Sequence, residues 1–119
     1  MARILLAEDD DHLRVFLARA LRRAGHEVRD CGDGDVELSW IKENSADLLI
    51  ADVVMPGLDG IELARRASDI WPDIRVIFIT GFAAVALREA DSMAPHATVL
   101  EKPFHLRRLV SEIERFLAA

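Results

Sequence analysis

The stretch Leu48-Leu49-Ile50-Ala51-Asp52-Val53-Val54-Met55-Pro56 decides how the chain is read: an apolar run, then a carboxylate, then a turn at proline. A continuous apolar run of this length, rich in Leu and Ile, predicts a strand buried on both faces of a parallel sheet. Open α/β sheets bind their ligands at the carboxyl ends of strands, so Asp52 is expected at the mouth of a crevice and not in the core. Taken alone, Asp52 could equally end the strand and cap the turn before Pro56. The neighbouring segments decide between the two.

Upstream, residues 3–7 (RILLA) repeat the pattern: a short apolar run that stops at Glu8-Asp9-Asp10-Asp11. Helical periodicity follows, with Leu13, Phe16, Leu17, Ala20, Leu21 and Ala24 as the expected inner stripe, Arg14, Arg19, Arg22 and Arg23 facing outward, and Gly25 as the stop. Residues 27–31 alternate polar and apolar, which suits an edge strand. A helix is expected over 35–43 with Val36, Trp40 and Ile41 inward. Downstream of Pro56, Asp59-Gly60 opens a third helix with Ile61, Leu63, Ala64, Ala67, Ile70 and Trp71 on its apolar face, closed by Pro72. Residues 75–79 (RVIFI) are a further buried strand ending on Thr80-Gly81. A short helix over 82–93, a last strand over 97–100 leading to Glu101-Lys102-Pro103, and an amphipathic helix carrying Leu106, Leu109, Val110, Ile113 and Leu117 complete the chain.

Strict alternation of five strands and five helices predicts a doubly wound parallel α/β sheet with right-handed crossovers. The three wholly apolar strands belong at the centre, which the order 2-1-3-4-5 satisfies. Asp9 and Asp52 would then flank the switch point between the first and third strands.

With 119 residues, the chain has room for one core and not for two. A formal net charge of -6, with no basic patch beyond scattered helix arginines, argues against a nucleic-acid binder held by phosphate contacts. The single cysteine, Cys31, has no internal disulfide partner, which fits a reducing compartment; it reads as a small residue at a strand end. Met1 leads directly into a strand, and no apolar run approaches the roughly 18 residues that span a bilayer. A soluble, cytoplasmic protein without membrane contact is expected.

Glu8, Asp9, Asp52, Thr80 and Lys102 all fall at strand carboxyl ends and should converge on one crevice. Close carboxylate pairs repel by about 4 kcal/mol at roughly 4 Å with an effective dielectric near 20. A divalent cation relieves that repulsion. An all-oxygen donor set with room for water and phosphate suits magnesium better than calcium, and the histidines at 12, 26, 96 and 105 are too scattered to be ligands. Lys102 and Thr80 add a positive charge and a hydroxyl, so the set suits a phosphoryl group transferring to a carboxylate nucleophile. Each part has an ordinary structural explanation by itself: acids at a helix start, a strand-end threonine, a solvated lysine. Asp10 and Asp11 belong to that ordinary class.

In combination, Glu8-Asp9, Asp52 with Met55-Pro56 and Asp59-Gly60, Thr80-Gly81, and Lys102-Pro103-Phe104 resemble the receiver domain of two-component response regulators across essentially the whole chain. The segments ILLAEDD (4–10), ITGFAAVAL (79–87) and KPFHLR (102–107) are similar to the CpdR group of single-domain regulators in alphaproteobacteria. The resemblance implies a CheY-like fold over residues 1–119 with no effector domain. It implies that Asp52 accepts a phosphoryl group from the phosphohistidine of a histidine kinase or phosphotransfer protein. It further implies Mg2+ held by Asp9, Asp52 and the Val54 carbonyl, with Glu8 reaching it through water. Thr80, in the Thr80-Gly81 pair, and Lys102 would contact phosphoryl oxygens, and the Lys102-Pro103 bond would be cis.

The same resemblance implies a timed switch and not a turnover enzyme: phosphorylation shifts an equilibrium of the face made by the fourth helix, last strand and last helix. Output would be a protein contact, in the CpdR group the delivery of substrates to an AAA+ protease of the ClpXP type. The tail Leu117-Ala118-Ala119 resembles a small apolar signal for such proteases, though its plainer reading is a frayed helix end.

Two positions depart from the receiver pattern. Val99 stands where many receivers have an aromatic residue, so Phe82 or the Gly81 loop is the expected signal relay; His105 stands where Asp, Ser or Thr would cap the last helix better. Val15, off the buried stripe, is a candidate docking contact for the phosphohistidine donor. Two competing readings are a phosphatase with an aspartyl-phosphate intermediate, which usually wants a carboxylate where Val54 stands, and a receiver-like module that never carries phosphate.

Overall fold

The computed structural model describes residues 2–93 and 96–118, with no side-chain description for 83–85. Ten elements alternate along the chain: β1 (Arg3–Ala7), α1 (Asp11–Arg23), β2 (Glu27–Cys31), α2 (Gly34–Ile41), β3 (Leu48–Asp52), α3 (Gly60–Ile70), β4 (Arg75–Thr80), α4 (Ala83–Ser92), β5 (Ala97–Glu101) and α5 (Leu106–Ala118). The strands form one parallel sheet in the order β2-β1-β3-β4-β5, as the hydrophobic pattern predicts. Among the described residues no helix is long and apolar enough to cross a membrane.

Alternate strand residues serve two cores, because successive side chains of a strand point to opposite faces. Ile4, Leu6, Leu48, Ile50, Ile77 and Ile79 pack with Leu17, Leu21, Leu109 and Ile113 of α1 and α5. Leu5, Leu49, Ala51, Val76 and Phe78 pack with Leu38, Leu63, Ala67 and Ala90 of α2, α3 and α4. The central strands are therefore apolar on both faces through their buried length, and buried polar groups return only at their carboxyl ends, at Glu8, Asp52 and Thr80. That constraint puts all the chemistry on one edge of the sheet.

Side-chain caps set the helix starts. Asp10, Asp33 and Asp59 accept the Leu13, Asp35 and Glu62 amides, so α1, α2 and α3 each begin where an acid satisfies a first-turn donor. Gly25, at φ 96°, ends the first helix in the left-handed conformation. Two helix readings need correction. In α1 the buried stripe is Leu17, Ala18 and Leu21, with Leu13 half-buried, while Phe16 is 54% exposed and Ala24 is also exposed. The i, i+4 row Phe16-Ala20-Ala24 lies on the outer flank of the stripe, and Ala18 takes the place given to Phe16. The second helix is Gly34–Ile41, with Asp33 holding its start, and it turns Val36 to solvent and buries Glu37, Leu38 and Ile41.

Candidate functional site

β1 ends at Ala7, and the Glu8 amide continues the ladder by donating to Cys31 O (3.1 Å). The chain then leaves the sheet, with the Asp10 amide donating to Glu8 Oε2 (3.1 Å). On β3, the Val54 amide donates to Asp52 Oδ1 (3.3 Å), which turns the backbone sharply after the strand. Gly60 at the start of α3 lies against the Asp52 carbonyl, and a Cβ there would overlap it. Glycine at 60 thus lets α3 close on the back of the loop that carries Asp52, and its amide donates to Val53 O (3.0 Å).

Glu8, Asp9 and Asp52 each offer a carboxylate oxygen, and the three oxygens lie within 4.8 Å of one another. Lys102 reaches into this group from β5's far end, its Nζ donating to Glu8 Oε1 (2.6 Å) and Asp52 Oδ2 (2.8 Å). The Lys102 amide donates to Thr80 O (2.8 Å), fixing the root of the lysine to the end of β4, and the Lys102-Pro103 peptide is cis. Glu8 is fully buried and Asp52 nearly so, whereas Asp9 is exposed.

Burial pushes the Glu8 carboxyl above its usual range, against the hydrogen bonds it receives from Lys102 and the Asp10 amide. Burial alone would lower the Lys102 ammonium, but its bonds to Asp52 and Glu8 outweigh that and hold it above its ordinary value. Lys102 is thus a fixed positive charge at neutral pH.

Three carboxylates against one ammonium leave the crevice with a net formal charge of two negatives. The donor set is all oxygen, one ligand is exposed to solvent, and no cysteine or histidine is among the ligands. These residues fit a hard divalent cation that retains water, with magnesium the better match.

Thr80 is buried, and its Oγ1 accepts the Phe82 amide (2.9 Å). The hydroxyl expected to donate into the crevice therefore also anchors the first turn of α4, where Phe82 holds the N-cap position with no side-chain cap of its own. Phe82 is 61% exposed, and Gly81 has open space around its Cα. Val99 sits in register with Phe78, half-buried against the α2–α3–α4 core. Val15 is exposed on α1, and His105 is exposed before α5. Of the C-terminal tail, Leu117 and Ala118 belong to α5 and Ala119 lies outside the described residues.

Two charged residues, one at the site and one in the core, were misread or missed in the sequence. Arg14, expected outward, lies folded over the β1 end with only 18% of its side chain exposed: it donates to Glu8 O (2.9 Å) and Asp11 Oδ1 (2.6 Å) and pairs with Asp30 (3.4 Å). The signal was its spacing, since Arg14, Leu17, Ala18 and Leu21 fall on one helical face. Glu37 is fully buried with both carboxylate oxygens lacking a hydrogen-bond partner, near Arg29 Nε (3.5 Å), and burial pushes its carboxyl up to about 8. Its spacing to Gly34 and Ile41 marked it as inward-facing.

Comparison with known proteins places these features. The profile of the response regulator receiver domain family matches residues 4–114. The response regulator receiver protein CpdR of Brucella abortus (strain 2308) is 56% identical, covering 100% of this chain and 99% of that protein. The DNA-binding transcriptional regulator NtrC of Azospirillum brasilense is 41% identical over 98% of this chain, which spans 24% of it. Among solved structures, the receiver domain of the hybrid histidine kinase CckA superposes with a TM-score of 0.83 at 36% identity, covering 97% of this chain and 98% of that one. A CheY-like receiver from Methanospirillum hungatei JF-1 gives a TM-score of 0.91 at 25% identity, over 99% of this chain and 94% of that one.

Proposed function

The chain belongs to the response regulator receiver domain family, and on that premise we propose that it is a phosphorylation switch in which Asp52 accepts a phosphoryl group from a phosphohistidine. The observation that carries this reading is the convergence of Glu8, Asp9, Asp52 and Lys102 on one crevice at the sheet's carboxyl edge. Asp52 is nearly buried, with Oδ1 held by the Val54 amide and Oδ2 by Lys102, so its carboxylate is oriented before any donor arrives.

In the proposed reaction an Asp52 oxygen attacks phosphorus, the P–N bond to the donor imidazole breaks with its electron pair staying on nitrogen, and the imidazole leaves, taking up a proton from solvent where it carries none on its other nitrogen. The product is an acyl phosphate. Water later attacks the same phosphorus, the bond to Asp52 breaks, and inorganic phosphate departs. This self-limited cycle acts on the protein's own carboxylate and is not turnover of an external substrate.

Asp9, Asp52 and the Val54 carbonyl would hold Mg2+, with Glu8 reaching it through water. When bound, the cation neutralises charge on the transferring phosphoryl oxygens. Lys102, already aimed at Asp52, would pair with a phosphoryl oxygen, and the Thr80 hydroxyl would donate to another. Because Thr80 Oγ1 also receives the Phe82 amide, a rotation of Thr80 that turns its hydroxyl toward a phosphoryl oxygen would break that bond and loosen the start of α4. A shifted α4–β5–α5 face is the proposed output.

The donor would be a histidine kinase or phosphotransfer protein; CckA, whose receiver is structurally similar, is described as a hybrid histidine kinase. The high identity to CpdR supports a protein output partner, with regulated delivery of substrates to a ClpXP-type protease as the form that the resemblance suggests. The chemistry belongs in the cytoplasm, where phosphorylated kinases and Mg2+ are available. Titration with beryllofluoride and Mg2+, followed by amide NMR, tests this reading. Resonances of Thr80, Phe82 and Lys102 should move in the wild type and stay fixed in Asp52→Asn; movement in both, or neither, refutes it.

A further inference from the structure

We propose that Arg14 is a positioning residue for the cation site: its guanidinium sets the orientation of the peptide between Glu8 and Asp9, and so the direction in which both acids reach the crevice. The proposal rests on the phosphoacceptor reading, and it concerns a side chain that touches neither the cation nor the phosphoryl group.

The Glu8-Asp9 peptide is the first one beyond the β1 ladder, so the sheet does not fix its rotation. Arg14 does, because Nη1 donates to Glu8 O at 2.9 Å. The same guanidinium is braced from two other directions, by Asp11 on its own helix (2.6 Å) and by Asp30 on β2 (3.4 Å). Asp30 is in turn held by Arg22 (2.9 Å). A planar fork holds its five donors in fixed directions and can meet three oxygens spread around its edge, whereas an ammonium is a compact point donor on a flexible stem that does not fix the direction of any one partner.

An independent feature points the same way. Gly32, just after β2, lies where a Cβ would come within 2.7 Å of Arg14 Nη1 and 3.4 Å of both Glu8 O and Asp9 Cα. The absence of a side chain at 32 leaves the space in which the guanidinium meets the carbonyl. Outer-sphere partners that orient metal ligands typically cost tenfold or more in affinity when removed.

Electrostatics gives the test a sign. Deleting a positive charge near three carboxylates should by itself tighten a cation, whereas loss of positioning should weaken it. Mg2+ is titrated against the amide resonances of Glu8, Asp9 and Val54 in wild type, Arg14→Lys, Arg14→Met, Gly32→Ala and, as a control, Arg23→Met on the exposed side of α1. The expected result is a Kd raised about tenfold in both Arg14 variants and several-fold in Gly32→Ala, with Arg23→Met unchanged. In Gly32→Ala/Arg14→Met the glycine effect should vanish, because no guanidinium remains to displace.

Unchanged or tighter Mg2+ binding in the folded Arg14 variants would overturn the assignment. Should those variants not fold, Gly32→Ala decides alone, and wild-type affinity in it overturns the assignment equally. If the wild type itself binds no Mg2+, the phosphoacceptor reading falls first and the role of Arg14 with it.

Discussion

Lys102→Met is the substitution that probes the crevice most sharply, since the lysine is the ammonium holding Glu8 and Asp52 together. Its removal leaves a fully buried carboxylate and a nearly buried one facing each other across a space without a cation. Breaking a buried pair costs about 3–5 kcal/mol, and the partial exposure of the lysine puts this case near the lower end, about 3 kcal/mol at neutral pH without Mg2+. For a domain of this size that is a fall in Tm of roughly 10 °C. The same change removes the competitor for the carboxylates, so Mg2+ should bind about tenfold tighter, about 1.4 kcal/mol. Urea denaturation across a Mg2+ series reads both effects, because a ligand that binds only the folded state stabilises it by RT ln(1 + [L]/Kd). The variant should start less stable than wild type and recover more with added Mg2+. Equal stability without Mg2+, together with equal Mg2+ dependence, would mean that Lys102 is solvated and the crevice does not work as described.

Other perturbations follow from the same geometry. Glu37 is raised from 4.5 to about 8 by burial, so the folded state loses stability as pH rises from about 4.5 to 8, and none below that window. Glu37→Gln should remove most of that loss, widening its advantage over wild type by about 3 kcal/mol between about pH 5 and pH 8 in chemical denaturation; parallel pH profiles would contradict this. Gly60→Ala forces a methyl against the Asp52 carbonyl and should both lower Tm and weaken Mg2+ binding several-fold, whereas a folded variant with wild-type affinity would show that α3 does not buttress the loop. Asp9→Asn removes one charge of the proposed cation site and should weaken Mg2+ at least tenfold while leaving the Lys102 pairs and the Tm nearly intact, because Asp9 is exposed and outside them.

Much of this was legible in the chain because strands buried on both faces write themselves as apolar runs. Residues 4–7, 48–51 and 76–79 could only be central, and the acids and threonine that end them could only lie on one edge. The convergence of Glu8, Asp52 and Lys102 followed from topology alone. Helix phase was less legible: Phe16 and Val36 fit the expected stripes by spacing, yet small residues, Ala18 and Gly34, face the core in their neighbourhood. Arg14 escaped because an arginine paired with Asp11 one turn away reads as an ordinary outward charge, while the two partners that fold it over the site, a main-chain carbonyl and an aspartate on β2, leave no local sequence signature. Glu37 escaped because a buried carboxylate within a helix contradicts the polarity rule by which core positions are read. The acceptor role of Thr80 toward the Phe82 amide likewise depends on loop geometry that no pattern records.

The central claim is that Asp52 carries a phosphoryl group with the help of a divalent cation. Intact-protein mass spectrometry after incubation with acetyl phosphate, with and without Mg2+, beside Asp52→Asn, tests it directly. A gain of one phosphoryl group that requires Mg2+ and is absent in the variant is the predicted result. A gain that persists in Asp52→Asn, or no gain under conditions where beryllofluoride also fails to bind, would contradict the account.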